Sequence, residues 1–280
     1  FVGHEGEELI KDGNGRAAVV IGAGPAGLMA ADILAQRGFK VTVFEKNAVP
    51  GGQINLASAP PEKGKTAWMI EDLAKICREE GVEIRLNTPA TAEAVKALAP
   101  CAVIAATGSK PIKPCFAGNC PAEDILTFED ILSGKAEFKD CSVAVIGSGL
   151  TGLETAHALC ENGCKVTIVE MANEVAPGTW MQHKDDILPK LRSAGAKIKT
   201  GEKLREVYTD RIVTENVKTK QKTDIPCDRV VLSLGSRPDA SVVEELNKCG
   251  FSPIVIGDAN RVGKIADATK AAYKAAISIK

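Results

Sequence analysis

Two glycine-rich loops carry the residue types and the spacing that bind a dinucleotide. GAGPAG begins at Gly22 and GSGLTG begins at Gly147, and Glu45 and Glu170 come about 20 residues later. In such a loop the first glycine makes the turn, the second lets the backbone approach a pyrophosphate, and the third lets the helix pack on the strand. The phosphates then lie on free N–H groups at the helix N-terminus, and the glutamate accepts hydrogen bonds from the adenosine ribose. The three glycines are Gly22, Gly24 and Gly27 in the first loop and Gly147, Gly149 and Gly152 in the second.

An alternative interpretation gives these glycines to packing alone and makes the glutamates solvated strand ends. It holds for one loop more easily than for two at matched spacing. The two loops also differ in the residues beyond each glutamate: Gly51–Gln53 adds a glycine pair where a bulky cofactor can pass, whereas Met171–Asn173 offers nothing comparable. We therefore predict the larger ligand in the first site. Gly257 and Asp258, at a strand end before a helix, can place a carboxylate on a ribityl hydroxyl; an ordinary N-cap is the alternative for Asp258.

An internal repeat supplies the elements that position these loops. Residues 18–46 align with residues 143–171 at an offset of 125 without a gap. Each copy has an apolar β-branched strand, a glycine turn, a helix of about a dozen residues and a second strand ending in Glu, which predicts a right-handed βαβ unit. Further predicted elements are a helix over 66–80 with its apolar face at Trp68, Ile70, Leu73, Ile76 and Cys77, strands over 82–86, 101–106, 229–234 and 253–258, and a helix over 265–280.

These elements predict an α/β fold with two Rossmann-like domains, the second inserted in the first. The proline-rich connector 109–121 gives the best boundary, so we expect domains at 1–110 plus 250–280 and at 111–249. A length of 280 residues agrees with about two domains. The apolar stretch 17–35 has nearly the length of a membrane span, but its glycines assign it to the first loop.

The composition excludes several classes of partner. With 35 Lys+Arg, 36 Asp+Glu and a net charge of −1, the chain has no basic field for nucleic acid or an anionic membrane. Nine scattered cysteines without a C-x-x-C pair fit a reduced cytoplasm, and no metal site is expected. Cys160 and Cys164 lack the spacing of a redox dithiol, and packing is the default role for His157.

The motifs together resemble a known group of flavoproteins. GAGPAG with Glu45, the Ala-Thr-Gly at 106–108, the late Gly-Asp and the inserted second domain resemble the flavoprotein disulfide-reductase-like superfamily. More narrowly, GGQINLASAPPEKGK, EIRLNT and the opening FVGHE are similar to the C-terminal module of the Old Yellow Enzyme-like iron–sulfur flavoenzymes. That group includes 2,4-dienoyl-CoA reductase, 2-enoate reductase and trimethylamine dehydrogenase. The resemblance implies an N-terminal barrel with FMN and a 4Fe–4S cluster, so the chain, which starts at Phe1, is expected to be a fragment that lacks it.

The resemblance also implies cofactor sites residue by residue. Its FAD site matches Gly22, Gly24, Pro25, Ala26, Gly27, Glu45, Lys46, Gly52, Gln53, Thr107, Gly108, Gly257 and Asp258. Its pyridine-nucleotide site matches Gly147, Gly149, Leu150, Thr151, Gly152 and Glu170, with Glu154 near the nicotinamide. The sequence departs from the family at Pro100-Cys101, where Pro-Asp is usual, and no Arg follows Glu170 to hold a 2′-phosphate.

Two functions remain as hypotheses. In the first, NADH binds the inserted domain, its hydride passes to FAD, and electrons leave through the cluster to FMN, toward an enoate- or enoyl-type substrate; no catalytic side chain is expected because the cofactors carry the chemistry. In the second, the first site holds ADP in a structural module like that of an amine dehydrogenase. The expected partners are NADH and the barrel of the same polypeptide, with a homo-oligomer left open.

Overall fold

A computed structural model describes residues 8–280, so the opening FVGHE, with His4, lies outside the described residues. The chain divides into two compact units. The first contains the residues up to Asn55 together with Thr66–Lys110 and Arg237–Lys280, and the second contains Leu56–Lys65 and Pro111–Ser236. The domain boundaries expected from the sequence, and the nucleotide assigned to each domain, stay predictions.

Helices and strands alternate along most of the chain. The chain before residue 106 contains β1 (Ala17–Ile21), α1 (Pro25–Gln36), β2 (Lys40–Phe44), α2 (Gln53–Ser58), α3 (Trp68–Glu79), β3 (Glu83–Arg85), α4 (Ala92–Ala97) and β4 (Ala102–Ala105). The middle of the chain contains β5 (Ser109–Pro111), β6 (Ile125–Thr127), α5 (Phe128–Leu132), β7 (Ser142–Ile146), α6 (Leu150–Glu161), β8 (Lys165–Glu170), α7 (Met181–Ser193), β9 (Lys197–Thr200), β10 (Glu202–Val207), β11 (Arg211–Asn216), β12 (Lys222–Pro226) and β13 (Arg229–Leu232). The last part contains β14 (Ser236–Pro238), α8 (Ser241–Lys248), β15 (Ile254–Val255) and α9 (Ile265–Ser278), and short 3-10 turns span Gly64–Ala67 and Gly257–Ala259.

Each unit is built on a parallel five-stranded sheet. The strand order is β15-β4-β1-β2-β3 in the first unit and β6-β13-β7-β8-β9 in the second. In each sheet the strand before the glycine loop is the point at which the strand order reverses. The next strands in the chain are added on one side of β1 (β2, β3) or β7 (β8, β9), and later strands are added on the other side (β4 or β13). Ligands of doubly wound sheets bind at this point, outside the carboxyl ends of the strands. The predicted fold, with two Rossmann-like sheets, is therefore confirmed.

The central strands are apolar because both faces of a parallel sheet are covered. Val19 and Val20 in β1 and Ala144 and Val145 in β7 are fully buried. β-Branched side chains suit this position, since they pack well on a pleated surface. The second unit adds an antiparallel sheet, β10-β11-β12. Because β1 and β7 are held on both sides, the loops that come after them have a rigid origin.

Some local predictions are wrong. The helix expected over 66–80 forms as α3, and Ile70, Leu73 and Cys77 of its predicted apolar face are buried. Trp68 and Ile76, assigned to the same face, are exposed. The strand expected over 253–258 is only the two-residue β15, since the chain turns into the 3-10 segment at Gly257. The helix after Asp258 therefore begins at Ile265 and not directly beside the carboxylate.

Arg37 anchors the C-terminal helix to the rest of the first unit. Its buried guanidinium pairs with Asp12, with 2.6 Å between Nη2 and Oδ1, and donates to the carbonyls of Ala276 and Ile279, the latter at 2.7 Å. The hydrogen bond from Arg37 holds the pKa of Asp12 below its usual value. These bonds satisfy carbonyls at the end of α9 that have no partner within the helix.

We expect Arg37→Met to destabilise the first unit by about 3–6 kcal/mol, because two charge-assisted bonds to buried carbonyls are lost at about 1.5–3 kcal/mol each. Urea unfolding of the purified variant measures the loss. Arg85→Met is the matched control: its exposed pair with Glu83 contributes little in water. Equal midpoints for the two variants would contradict the assignment.

Candidate functional site

The first and third glycines of each loop are required by the protein itself. Gly22 has φ +100, and a Cβ there would collide with the carbonyl of Ala106. A Cβ on Gly27 would collide with the carbonyl of Gly22. Gly147 and Gly152 repeat these contacts in the second loop, where the obstacles are the carbonyls of Ser233 and Gly147. These four glycines thus allow the turn and bring helix against strand.

The second glycine of each loop is not required by the protein. Gly24 has φ −80 and ψ −176, which any residue adopts, and a Cβ would meet only the Gly51 carbonyl at 3.9 Å. Gly149 has φ −55, and a Cβ there would meet nothing within 4 Å. Packing within the fold would therefore tolerate a side chain at either position. The open space over the backbone fits a pyrophosphate at both loops.

Both loops lead into helices whose N-termini lack a side-chain cap. α1 begins at Pro25 after Gly24, and α6 begins at Leu150 after Gly149, with no capping hydrogen bond at either position. Neither helix has an acidic residue in its first turn. Free N–H groups and the helix dipole therefore favour an anion at each end. Thr151, exposed in the first turn of α6, adds a hydroxyl there.

Glu45 and Glu170 are buried and hold the glycine loops in place. Glu45 accepts from the N–H of Ala23 at Oε2 and from the N–H of Asn47 at Oε1, both at 2.8 Å. Glu170 accepts at Oε2 from both the N–H and the hydroxyl of Ser148, and at Oε1 from the N–H of Ala172. This structural role was not predicted from the sequence. A carboxylate oxygen has further acceptor capacity, so each glutamate can also bind a ribose hydroxyl.

Three side chains of the first unit connect the distal part of the predicted FAD site. Gln53 donates from Nε2 to the carbonyl of Ser109 at 3.3 Å, and the Ser109 hydroxyl lies 3.4 Å from Oδ2 of Asp258. The other oxygen of Asp258 accepts from the N–H of Gly263. Gln53 and Asp258 were predicted, but Ser109 was missed. Its signal was its place directly after the Ala-Thr-Gly turn at 106–108.

Two further predicted glycines lie against the first loop. A Cβ on Gly52 would be 3.5 Å from the Cα of Gly24, and a Cβ on Gly257 would be 2.9 Å from the Cβ of Ala26. Both have positive φ, at +54 and +59. Only glycine meets these conditions without strain. The structure thus brings Gly52 and Gly257 to the start of α1.

Thr107 and Gly108 bind a neighbouring turn. The Thr107 hydroxyl donates to the carbonyl of Asp239 at 2.9 Å, and the N–H of Asp239 donates to the carbonyl of Gly108. Burial acts to raise the pKa of Asp239, but hydrogen bonds from Lys110 and Ser241 outweigh it and hold the pKa below its usual value. Thr107 therefore anchors the end of β4. Lys46 is exposed and is not brought to the other residues by any described contact.

Glu154 is paired within the second unit. Its carboxylate lies on α6, mostly buried, and forms an ion pair of 2.5 Å with Lys63 of the segment Leu56–Lys65. Glu62 of the same segment pairs with Lys190 on α7 at 2.6 Å. Two ion pairs therefore join this segment to α6, which follows the second loop, and to α7. The sequence did not reveal these contacts.

Cys141 and Cys160 in the second unit carry thiols with raised pKa values. Cys164 lies near Cys141, with 3.9 Å between the sulfur atoms. Burial, and after it the Cys164 thiol, raises the pKa of Cys141 to about 11, and burial raises the pKa of Cys160 to about 11. Such thiols are protonated at neutral pH, whereas attack on a disulfide needs a thiolate.

Two parallel sheets, each with a glycine loop at its switch point and a buried glutamate beneath it, define a class: the oxidoreductases with two dinucleotide-binding folds. The family described as pyridine nucleotide-disulphide oxidoreductase matches residues 16–251. The chain belongs to this family.

Individual relatives agree. The chain is 39% identical over 268 residues to an NADH oxidase of Thermoanaerobacter brockii, covering 94% of this chain and 41% of that protein. It is 34% identical over 281 residues to a bilirubin reductase of Mediterraneibacter gnavus, covering 98% and 42%. The solved 2-naphthoyl-CoA reductase, in complex with 2-naphthoyl-CoA, superposes with a TM-score of 0.90 at 27% identity, covering 98% of this chain and 41% of that one. The chain thus spans about two fifths of the length of these proteins.

These similarities confirm the predicted resemblance to the Old Yellow Enzyme-like group. They also confirm that the chain is an oxidoreductase module that binds FAD and NAD(P)H. The alternative of an ADP-binding structural module is not favoured, since the two relatives described above are an NADH oxidase and a reductase. Within residues 8–280, no helix has both the length and the apolar character that a membrane crossing requires.

Proposed function

We propose that the first unit holds FAD, that the second holds NADH, and that the chain delivers electrons to an FMN and 4Fe–4S barrel of the same polypeptide. Reduction of an enoate- or enoyl-type substrate would occur in that barrel. The observation that carries the proposal is the open space over Gly24 and Gly149, each facing an uncapped helix with a buried glutamate beside it. Residues 1–110 plus 250–280 form the FAD domain in this proposal, and 111–249 the NAD(P)H domain.

In the first unit, each part of the ligand has a partner of the right chemistry. The N-terminus of α1 takes the pyrophosphate, and Glu45 accepts from the adenosine ribose. Asp258 accepts from the ribityl chain, and Gln53 donates an amide N–H nearby. When bound, FAD supplies the acceptor for a hydride from a reduced nicotinamide. The protein's part is to bind and orient, so the proposal assigns no catalytic side chain.

In the second unit, the corresponding residues provide a site for NADH, without the additional residues that extend the FAD site of the first unit. The N-terminus of α6, with Leu150 and Thr151, takes the NADH pyrophosphate, and Glu170 accepts from the adenosine ribose. Glu154, held by Lys63, lies one helical turn further along α6, where the nicotinamide half is expected.

The cysteines support a cytoplasmic location: all nine lie within the described residues and are free thiols, which suits a reducing compartment.

We expect NADH to reduce the flavin faster than NADPH. Three N–H and O–H donors keep the Glu170 carboxylate in place, so the 2′-phosphate of NADPH would face a fixed like charge with no Arg after it. A difference of roughly 1–3 kcal/mol in binding is expected, or about 5- to 150-fold. Anaerobic bleaching of the flavin by each nucleotide measures it. Equal or faster reduction by NADPH would sink the assignment.

We expect the 280-residue chain to pass electrons from NADH to an artificial dye but not to reduce an alkene. The chain has two tyrosines to offer as proton donors. The Tyr208 hydroxyl donates to Glu206 at 2.7 Å, and Tyr273 is buried on α9. Assays with a dye, a dienoyl-CoA and an enoate, run with FAD but without FMN or iron, test this. Turnover of either alkene would place the substrate chemistry in this chain and overturn the proposal.

A further inference from the structure

Ser148 is the point at which the two glycine loops differ in their hydrogen bonds. At the repeat offset of 125, Ser148 corresponds to Ala23, and Ala176 corresponds to Gly51. Both loops donate two backbone N–H groups to their glutamate. Ala23 and Asn47 donate to Glu45 in the first unit, and Ser148 and Ala172 donate to Glu170 in the second. Only the second loop adds a hydroxyl, and Ser148 is fully buried.

The hydroxyl replaces a backbone contact of the first unit. In the first unit the N–H of Gly51 donates to the carbonyl of Ala23 at 2.9 Å. In the second, the N–H of Ala176 donates to the Ser148 hydroxyl at 3.0 Å, and that hydroxyl donates to Glu170 Oε2 at 2.8 Å. One side-chain oxygen therefore ties the segment Met171–Ala176 both to the glycine loop and to the glutamate.

Loss of this oxygen would remove one hydrogen-bond partner from each of two buried groups, the N–H of Ala176 and the carboxylate of Glu170. Ala176 is fully buried and has φ +49, a conformation unfavourable for alanine that its surroundings must maintain. Its N–H would lose its acceptor, and Glu170 would lose one of three donors. In the first unit the loss cannot occur in this way, because the acceptor there is backbone. The hydroxyl thus adds a third donor to the two N–H bonds that Glu170 shares in kind with Glu45, and it also accepts from the N–H of Ala176.

We propose that Ser148 is a positioning residue that sets the preference of the second site for a dinucleotide with a free 2′-hydroxyl, by fixing the Glu170 carboxylate and the segment after it. This rests on the proposed function, in which Glu170 meets the adenosine ribose. Ser148 itself need not contact the nucleotide. With the hydroxyl removed, the segment Met171–Ala176, which carries one of the two remaining N–H donors to Glu170, loses its hydrogen bond to the glycine loop. The Glu170 carboxylate is then held less firmly, so the ribose of NADH loses an aligned acceptor and the 2′-phosphate of NADPH loses a fixed like charge.

The test is Ser148→Ala, because alanine is the residue that the first loop carries at this position. We expect kcat/KM for NADH to fall roughly tenfold, about 1.4 kcal/mol, mostly through KM, while kcat/KM for NADPH stays level or rises. The ratio of the two then falls at least tenfold, with FAD content unchanged. An equal loss with both nucleotides would mean a purely structural role and would overturn the inference. Ser148→Cys, with a thiol that hydrogen-bonds poorly, gives the same readout if the alanine variant does not fold.

A double-mutant cycle tests whether Ser148 acts through Glu170. Glu170→Gln should lower the NADH preference by itself, and adding S148A should leave the ratio within about twofold of the single variant, since coupled residues are non-additive. Additive losses would contradict the inference. Ser142→Ala is the matched control: its hydroxyl binds Asp228 at the opposite end of β7, and the ratio should stay at the wild-type value. A wild-type protein without NADH preference refutes the proposed function and this inference together; a wild-type preference that survives in S148A refutes the inference alone.

Discussion

Replacing Gly24 by alanine is expected to give a folded protein that has lost its FAD. The backbone at Gly24 suits any residue, and a Cβ would meet only the Gly51 carbonyl at 3.9 Å, so the fold tolerates the methyl group. The same methyl would occupy the space where the pyrophosphate approaches the start of α1. Overpacking a close contact costs about 1–3 kcal/mol, and more where the backbone cannot move away. Flavin absorbance per protein, read after purification, should fall to a small fraction of the wild-type value.

The matched control is Gly64→Ala. A Cβ on Gly64 would also meet nothing within 4 Å, and Gly64 lies in a 3-10 turn outside both loops. This variant should keep its flavin. Circular dichroism and melting of all three proteins separate a binding defect from a folding defect. Full FAD content in G24A would show that the pyrophosphate does not pass this residue, and an unfolded G24A would show that the space is needed by the protein itself.

Replacing Gly149 by alanine should spare the flavin and strongly slow its reduction by NADH. A Cβ on Gly149 meets nothing within 4 Å, yet it would stand before the uncapped N-terminus of α6. A loss of about 2–3 kcal/mol in nucleotide binding, roughly 30- to 150-fold in kcat/KM, is expected. Anaerobic stopped-flow bleaching with NADH measures it. Dithionite, which needs no nucleotide site, should reduce the variant and the wild type alike; wild-type rates with NADH in G149A would rule out the second loop as the nucleotide site.

Much of the fold and the outline of each site could be predicted from the sequence, because they depend on short-range pattern. The repeat at offset 125 predicted both βαβ units. An apolar β-branched strand, a glycine turn, a helix and a second strand ending in Glu, in that order, are typical of this unit. The roles of Gly22 and Gly27 could be derived from the same pattern, since helix and strand must approach closely where they stand.

The features that the sequence did not reveal depend on contacts between distant residues. The hydrogen bonds of Glu45 and Glu170 to the glycine loops, and the link from Ser148 to Ala176, arise from side-chain orientations that no spacing rule contains. The ion pair between Lys63 and Glu154 joins residues far apart in the chain. Trp68 fits the apolar period of a helix but lies on the exposed side of α3. Which apolar side chains of a helix are buried depends on the elements that pack against it, and the period alone does not show this.

The central claim, that FAD bound by this chain accepts electrons from NADH, is tested most directly by one anaerobic titration. The purified chain is expected to show visible flavin absorbance, to release FAD on denaturation, and to be bleached by stoichiometric NADH. A colourless protein that releases ADP, or a bound flavin that dithionite bleaches and NADH does not, would contradict the account.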